Sequence, residues 1–407
     1  MKWRKWLVVI LAAAIWMMPM SAQAITMSEL KSGIVLGQAA KSVSKFFVNG
    51  VQVPAMTFNG KLIVFTKDLK NFGFSTTWNK EQRDIVVRRD LSRNEFAKMK
   101  DTTSAKPVNV LYTDIKVYLD NRIVPAFYVD NATAIYAEDL FRYGSISYDT
   151  KAKEQRLTLS KYPGKDLPVG MRVSEADYSI HISNYSGTKY HFINFDLFYY
   201  NRATQKVETF SDIFSGIEAS KKMDFTYVSP EIHFEYADAW KYVFLGIVLQ
   251  STTDENGAVV NNPIYKDEAN YVKTKYLEYA LMLEKVRKTN LASELRANNH
   301  VPLKVTGTTM AYNLIGVPEP QITFKNLSGK SIDAFEIEIR TFDTFGRPVT
   351  FPGYGNLTLG IAQEILIPPG AEETMVWTLN LFENATKVNV TVVNVHYTDG
   401  TTWKKKK

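Results

Sequence analysis

The sequence predicts a mainly β protein with α+β parts, made of two small α+β modules, two β-sandwich modules and one inserted helix. Three observations support this prediction. The first half repeats itself at an offset of 71 residues, the second half repeats itself at an offset of 142 residues, and one later stretch has helical periodicity. The predicted modules follow an N-terminal segment, 25–44, and occupy residues 45–92, 108–162, 166–300 and 301–403.

The first repeat aligns residues 47–73 with residues 118–144. Val53-Pro54-Ala55 falls on Val124-Pro125-Ala126, and Asp68 falls on Asp139. Pairs of residues that tolerate a positive φ recur in both copies, and each pair predicts a tight hairpin turn. These pairs are Asn49-Gly50, Asn59-Gly60, Asp120-Asn121 and Asp130-Asn131.

Each copy predicts the element order ββ-β-α-ββ. Thr66 is expected to cap a short helix that runs through Asn71, and Gly73 is expected to end it in the left-handed conformation. Two further strands are expected at about 74–78 and 84–88.

These residues resemble the copper amine oxidase N-terminal domain-like family, the stalk module of many exported Gram-positive proteins. The likeness rests on Phe47-Val48-Asn49-Gly50, Asp68-Leu69, Gly73 and Trp78, and it extends over residues 45–160. The second copy departs from the pattern, since Tyr148 replaces Trp78 and the turn glycines are missing. The resemblance implies a stalk-like fold and says little about activity.

The second repeat aligns residues 180–207 with residues 322–349. Apolar residues alternate with polar ones in both copies, as in a strand with one buried face. Strands at 242–250 and 388–397 are expected to close the two β-sandwiches. The segment 326–330, Asn-Leu-Ser-Gly-Lys, resembles small Ig-like extracellular domains that have no assigned chemistry.

A helix is predicted over residues 267–289. Apolar residues step along it by three and four, with Lys and Glu at the other positions. Two interpretations remain open for this helix. It packs on its own sandwich, or it docks a partner as a coiled-coil segment, although fewer than three heptads rarely form a free coiled coil.

The N-terminus predicts a signal peptide over residues 1–24. Lys2, Arg4 and Lys5 precede an apolar run, and Ala22 and Ala24 form the small-x-small motif that signal peptidase recognises. The alternative, an uncleaved anchor, requires a bilayer span of roughly 20 residues, which exceeds the run. The sequence contains no cysteine, which excludes disulfides, thiolate metal sites and cysteine nucleophiles. A secreted bacterial protein, extracellular or associated with the cell wall, is therefore expected.

The formal charge of +7 is concentrated at the two ends of the chain. Removal of the signal peptide lowers it to +4, and the C-terminal lysines Lys404, Lys405, Lys406 and Lys407 account for the remainder. No basic stripe indicates nucleic-acid binding. The lysine tail is expected either to solubilise the chain end or to contact an anionic envelope surface.

No cofactor, metal ion or catalytic residue is predicted. Copper amine oxidases use a His-x-His pair and an Asn-Tyr-Asp/Glu motif, and this sequence has neither. Its histidines stand apart, at His181, His191, His233, His300 and His396. His233 and Glu235 could share a strand face, but a third metal ligand is not evident nearby. No Gly-x-Ser-x-Gly, His-Glu-x-x-His or phosphate-binding loop occurs.

The aromatic residues allow two interpretations. Trp78, Tyr128 and Tyr200 could form an exposed surface on which a sugar stacks, or they could belong to the core. A non-enzymatic binding or spacer protein at the cell surface, in contact with a polysaccharide or another envelope protein, is the preferred function. The alternative is a secreted carbohydrate-active or other hydrolase whose carboxylate pair leaves no local sequence motif.

We expect cleavage of the signal peptide after Ala24, because Ala22 and Ala24 occupy the small-residue positions that signal peptidase recognises. N-terminal sequencing of protein from culture medium or wall fractions should begin at Ile25. Recovery of a chain that begins at Met1 would contradict this expectation.

Overall fold

The computed structural model describes residues 30, 32–92, 99, 101, 103–160, 167–174, 179–226 and 240–406. Strands make up 52% of the described residues and helix 14%. The predicted class, mainly β with sandwich modules and one inserted helix, is therefore confirmed. The junction between the predicted modules 108–162 and 166–300 lies outside the described residues.

The first repeat contains seven strands and one 3-10 helix. They are β1 Val35–Lys41, β2 Lys45–Val48, β3 Val51–Val53, β4 Ala55–Phe58, β5 Lys61–Phe65, the 3-10 helix Thr66–Phe72, β6 Phe74–Asn79 and β7 Asp84–Arg89. The second repeat follows the same order. Its elements are β8 Val108–Tyr112, β9 Lys116–Leu119, β10 Arg122–Val124, β11 Ala126–Val129, β12 Ala132–Tyr136, the 3-10 helix Ala137–Tyr143, β13 Gly144–Asp149 and β14 Glu154–Leu159.

The two repeats share one closed six-stranded barrel. Each repeat supplies three strands, in the order β1-β4-β5-β12-β11-β8. The strand β1 lies in segment 25–44, ahead of the predicted module, and it takes the place in the first repeat that β8 takes in the second. The sequence comparison missed β1 because the two strands share a position in the barrel and not a residue pattern.

Two outer sheets exchange strands between the repeats. The last hairpin of the first repeat continues into the second repeat through the parallel pair β7 and β9, and β14 likewise pairs in parallel with β2 of the first repeat. The two outer sheets have the orders β10-β9-β7-β6 and β13-β14-β2-β3. Neither repeat can form its sheets alone.

The predicted hairpin turns are confirmed. Asn49, Asn59, Asp120 and Asp130 have φ between 47° and 55°. The helix ends differ between the copies: Gly73 has φ of 81°, as expected, whereas Gly144 is extended. A side chain at Gly144 would collide with the carbonyl oxygen of Thr158 on the paired strand, so this glycine serves a close approach of two backbones.

The expected cap at Thr66 is wrong. No side chain caps this 3-10 helix. The Thr66 hydroxyl instead donates to the backbone oxygen of Thr133, 3.1 Å away in the other repeat. A long-range partner across the barrel has replaced the local one.

The two sandwiches have the same topology, each with one three-stranded and one four-stranded sheet. The first comprises β15 Val169–Ser174, β16 Ser179–Asn184, β17 Tyr190–Asn201, β18 Lys206–Ile217, β19 Lys222–Thr226, β20 Tyr242–Asp254 and β21 Val259–Asn261. The second comprises β22 Leu303–Tyr312, β23 Pro318–Asn326, β24 Ile332–Phe342, β25 Leu357–Ala362, β26 Glu372–Val376, β27 Lys387–Tyr397 and β28 Thr402–Lys404. This agreement supports the duplication inferred from the sequence.

One long helix, residues 265–297, connects the sandwiches. It consists of α1 Tyr265–Tyr271, a π segment Val272–Tyr276 and α2 Leu277–Ala297. We call it the spine helix. It is longer than the predicted 267–289, and it packs on more than its own sandwich.

The spine helix contributes to three hydrophobic cores. Tyr279 and Leu283 join the core that collects side chains from all six barrel strands. Tyr271 joins the core of the outer sheets, and Val272 and Ala280 cover one face of the first sandwich. Burial of these side chains stabilises the contact of the helix with the two repeats and with the first sandwich.

We expect the barrel to hold its two halves together after the chain is cut. A protease site inserted between the exposed residues Ala105 and Lys106 would separate the repeats covalently. Because β1, β2, β5 and β7 each pair with a strand of the second repeat, the N-terminal fragment should co-elute with the remainder in size-exclusion chromatography. The uncut protein is the control. A fragment that elutes alone before any denaturant is added would contradict a shared barrel.

Candidate functional site

The residues predicted at the chain ends are only partly described. Ala22, Ala24 and Lys407 lie outside the described residues. Lys404 is the last residue of β28, and Lys404, Lys405 and Lys406 are all exposed. The lysine tail thus begins inside a β-ladder.

The aromatic candidates do not form one surface. Tyr199 is buried in the first sandwich, while Tyr200 and Phe198 point to the other face, which the spine helix covers. Tyr128 is half-buried, and its hydroxyl lies 3.4 Å from the side-chain oxygen of Asn131. Trp78 is exposed on a sheet far from these residues in the fold.

The histidines remain dispersed in the fold. His191 stacks on Phe192, and Nδ1 of His396 lies 2.6 Å from a carboxylate oxygen of Asp333. His233 lies outside the described residues. Over the part of the chain that the structure describes, no three His, Asp or Glu side chains are grouped as metal ligands. No helix in that part is long and apolar enough to cross a membrane.

A buried carboxylate on the spine helix ties it to the second repeat, at the outer strand β10 and the 3-10 helix Ala137–Tyr143. Glu268 receives two hydrogen bonds from Arg122, at 2.8 and 2.9 Å, and lies 3.3 Å from Arg142. The guanidinium of Arg122 also lies over the ring of Tyr271, 4.4 Å from its centre. A bidentate, cation–π-supported pair of this kind fixes the helix in one rotation against the barrel.

A second buried carboxylate ties the helix to both sandwiches. Glu284 receives two hydrogen bonds from Arg287, and Nε of Arg202, which follows β17, lies 3.3 Å away. Arg287 also donates to the backbone oxygen of Pro369 in the second sandwich. Burial alone would raise the pKa of Glu284, but Arg287 and Arg202 hold this pKa below its usual value. The carboxylate is therefore charged and fully engaged in the joint.

A cavity of about 110 Å³ lies between barrel and spine helix. It is lined in part by Lys61, Tyr136, Glu138, Asp139, Tyr271 and Glu278. Lys61 bridges Glu138 at 3.0 Å and Glu278 at 3.2 Å, which raises the pKa of Lys61 although burial opposes this. The Tyr271 hydroxyl donates to Oδ1 of Asp139 at 2.8 Å, while Oδ2 of Asp139 is buried with no hydrogen-bond partner.

Burial raises the pKa of Asp139 to about 7, and the hydrogen bond from Tyr271 only partly offsets this effect. The cavity is thus a small, polar site with one proton-binding carboxyl group. Ligand pockets usually measure about 300–1,000 Å³, so this cavity is too small for a sugar ring and its substituents. Glu138 and Glu278 are paired with Lys61, and Asp139 is hydrogen-bonded to Tyr271, which favours a structural role for the cavity.

The far end of the second sandwich carries the most exposed apolar side chains. Three loops meet there, at 313–317, 343–356 and 379–386, and we call them the apical loops. They converge because Leu379 bonds to Pro318 and Thr386 bonds to Phe342 through the backbone. The exposed fractions at this end are 106% for Leu314, 84% for Ile315 and 82% for Phe345.

Sequence reasoning missed both the buried carboxylates and the apical loops. Glu268 and Glu284 fall among the Lys and Glu positions of the predicted helix, where a buried carboxylate and a solvated one leave the same pattern. Leu314 and Ile315 carried a usable signal, since two aliphatic residues precede Gly316 in a turn that needs neither of them.

We expect the substitution Asp139→Asn to change the pH dependence of stability. The folded carboxyl group binds its proton more tightly than the unfolded one, so the free energy of unfolding falls as the pH rises from about 4 to about 7. Asparagine keeps an acceptor for Tyr271 and removes this loss. Relative to wild type, the variant should gain at least about 1 kcal/mol, and at most about 4 kcal/mol, between pH 4 and pH 8. Urea unfolding at several pH values measures it. Asp130→Asn, in an exposed turn, is the control, and parallel curves for Asp139→Asn and wild type would refute the assignment.

Comparison with known proteins gives a partial family match. No curated protein matches the chain. A hypothetical protein from Peptoclostridium difficile 630 is 14% identical over 26% of this chain and 87% of its own, with a TM-score of 0.20. The exo-chitosanase CsxA from Amycolatopsis orientalis is 15% identical over 59% of this chain and 26% of its own, with a TM-score of 0.16. Scores this low support no inference about fold or activity. The model of a family of unknown function, DUF5780, matches residues 320–407, which form most of the second sandwich.

Proposed function

We propose that the chain is an exported, non-enzymatic protein of the cell envelope that acts as a rigid spacer. In this proposal the second sandwich contacts an anionic envelope surface, and the spine helix holds the barrel at a fixed position away from it. The observation that carries the proposal is the lysine tail, which continues the edge strand β28 of the second sandwich.

The tail is held in register. Lys404 pairs with Asn394, and the backbone N–H of Lys405 donates to the carbonyl oxygen of Val393 at 2.9 Å. The backbone of Lys404 and Lys405 is therefore held at the sheet edge, and Lys404, Lys405 and Lys406 are exposed to solvent. Cations held by a β-ladder lose less conformational freedom on binding than cations on a free tail.

The expected strength is moderate. Each basic residue near an anionic surface contributes about 1 kcal/mol, and salt screens this attraction within about 8 Å. Four lysines can enrich the protein at wall polymer or at a membrane surface without fixing it there. The attraction suits a surface protein that is retained and can still exchange.

The proposed role as a spacer rests on the spine helix, which fixes the distance between the barrel and the second sandwich. Glu268 joins the helix to an outer sheet of the two repeats, and Glu284 with Arg287 joins it to both sandwiches. These joints are buried, so the three bodies have little freedom to move independently. The resemblance of the barrel repeats to stalk modules of exported Gram-positive proteins, together with the signal-peptide pattern, supports export and a spacer role.

The rival function, a secreted hydrolase, would need an open cleft with two carboxylates about 5–10 Å apart. The cavity at the C-terminal end of the spine helix, about 290 Å³, contains Glu294 and Glu372. Glu294 accepts two hydrogen bonds from Lys325, at 2.9 and 3.1 Å, which commits it to the joint between helix and second sandwich. This arrangement favours the spacer.

We expect truncation after Trp403 to release protein from the wall fraction into the medium. The reason is the loss of four cations at the edge of the second sandwich. Replacement of the same four lysines by glutamine keeps the chain length and should have the same effect, and moderate salt should reproduce it with the intact protein. Equal partitioning of full-length and truncated protein at low salt would refute the role of the tail.

A further inference from the structure

Two of the apical loops are built as the same five-residue turn. In 313–317 and in 343–347, the side-chain oxygen of the first residue accepts hydrogen bonds from the backbone N–H groups of the third and fifth residues. The N–H group of the fourth residue, a glycine, donates to the backbone oxygen of the first. Gly316 and Gly346 have φ near 80°, at 81° and 79°. The fold thus demands Asx at the first position and glycine at the fourth.

A third copy of this turn shows which positions are free to vary. Residues 254–258, at the end of β20 in the first sandwich, make the same set of hydrogen bonds. Its second and third residues are Glu255 and Asn256, as expected for a turn in water. The apical turns instead have Leu314-Ile315 and Thr344-Phe345 at these positions. The apolar residues are therefore not required by the turn.

We infer that the apical turns insert into the interfacial region of an anionic lipid bilayer. The inference rests on the proposed envelope location. Leu314, Ile315 and Phe345 protrude from loop ends with exposed fractions of 82% or more, so a protein partner would have to enclose them, whereas a bilayer accepts a protruding apolar side chain directly.

The backbone of these turns is suited to a medium of low polarity. An unsatisfied N–H or C=O group is costly in lipid. Asn313 and Asp343 satisfy the N–H groups of Ile315, Val317, Phe345 and Arg347 within the turns themselves. The charged pair of Asp343 and Arg347, 2.8 Å apart, lies beside the apolar tip, where the guanidinium of Arg347 stands over the ring of Phe345, 5.0 Å from its centre. The N–H groups of the third, fourth and fifth residues of each turn therefore need no partner from the lipid.

Charge near the apical end favours anionic lipid. The strand β28 runs antiparallel to β27, so the exposed lysines that follow Trp403 lead back towards the apical loops. Lys387, at the apical end of β27, is also exposed. Among the acidic residues there, Glu319 accepts hydrogen bonds from Asn313 and Thr378, Asp343 pairs with Arg347, and Glu383 is exposed. The tail therefore runs towards the apical loops, and Lys387, whose Nζ donates to the carbonyl oxygen of Thr344 at 3.3 Å, lies beside the apolar tips.

Insertion can be measured directly because the chain has no cysteine. Ile315→Cys and Asn256→Cys occupy the third position of identical turns, one in an apical loop and one in the first sandwich. Each variant of the mature protein, from Ile25 onward, is labelled with an environment-sensitive dye and mixed with phosphatidylglycerol–phosphatidylcholine vesicles. The dye at position 315 should shift to shorter wavelength and brighten, and the dye at position 256 should not change. Equal responses at the two positions, or none at 315, would overturn the inference.

Vesicle sedimentation provides the second arm. The triple substitution Leu314→Ser, Ile315→Ser and Phe345→Ser should lower the partition coefficient at least tenfold. Leu359→Ser with Ile361→Ser removes exposed apolar side chains from the outer face of β25 in the same sandwich and should change it less than twofold. If the triple variant binds vesicles as wild type does, or if the dye at 315 responds to extracted wall proteins and not to vesicles, insertion is refuted.

These measurements distinguish the proposed role of the lysine tail from the proposed insertion of the apical turns, so that either can be refuted without the other. Truncation after Trp403 should remove the part of vesicle binding that salt weakens, whereas the triple variant should remove the part that persists at high salt. Loss of the salt-resistant part with an intact tail effect supports insertion. A salt-resistant part that survives the triple substitution refutes insertion and leaves the proposed role of the tail unaffected.

Discussion

Two buried carboxylates on one helix, Glu268 and Glu284, stand where the β bodies of this protein meet. Glu268 faces Arg122 from an outer sheet and Arg142 from the 3-10 helix of the second repeat, and Glu284 faces Arg202 from the first sandwich. Removing two charges from water costs about as much as their attraction returns, so such a pair adds little net stability. Its effect is on geometry, because any other rotation or register of the helix would leave a buried charge without a partner. The apolar cores provide adhesion, and the carboxylates select one arrangement.

The strands exchanged between the two repeats cover sheet edges that each repeat would expose if it folded alone. A half-module would expose the edges of β5 and β7, and unpaired strand edges invite association with other chains. Pairing β5 with β12 and β7 with β9 removes these edges inside one molecule. A duplicated module can thus behave as an internal dimer. The helix then covers the barrel core with Tyr279, whose hydroxyl bonds to the Ala126 carbonyl at 3.1 Å.

Local features were predictable from the sequence because local chemistry determines them. Positive φ at Asn49 and Asn59, the left-handed Gly73 and the strands 74–79 and 84–89 follow from turn residues and alternation. The exchange of strands between repeats was not predictable, since each strand has the same pattern whichever partner it pairs with. The burial of Glu268 was not predictable for a related reason. Its partner Arg122 is 146 residues away in the sequence, and the local sequence around a glutamate does not show whether such a distant partner buries it.

The three identical turns separate what folding requires from what it leaves open. Hydrogen bonding and φ fix Asn or Asp at the first position and glycine at the fourth, and these residues agree in all three turns. The second and third positions contact nothing that the turn needs, so water alone would favour polar residues there, as at Glu255 and Asn256. Exposed Leu314, Ile315 and Phe345 are unfavourable in water, and their burial lowers the free energy only when a lipid phase or another surface covers them. Residue choice at positions that the fold does not constrain is therefore the part of this sequence that reports most directly on function.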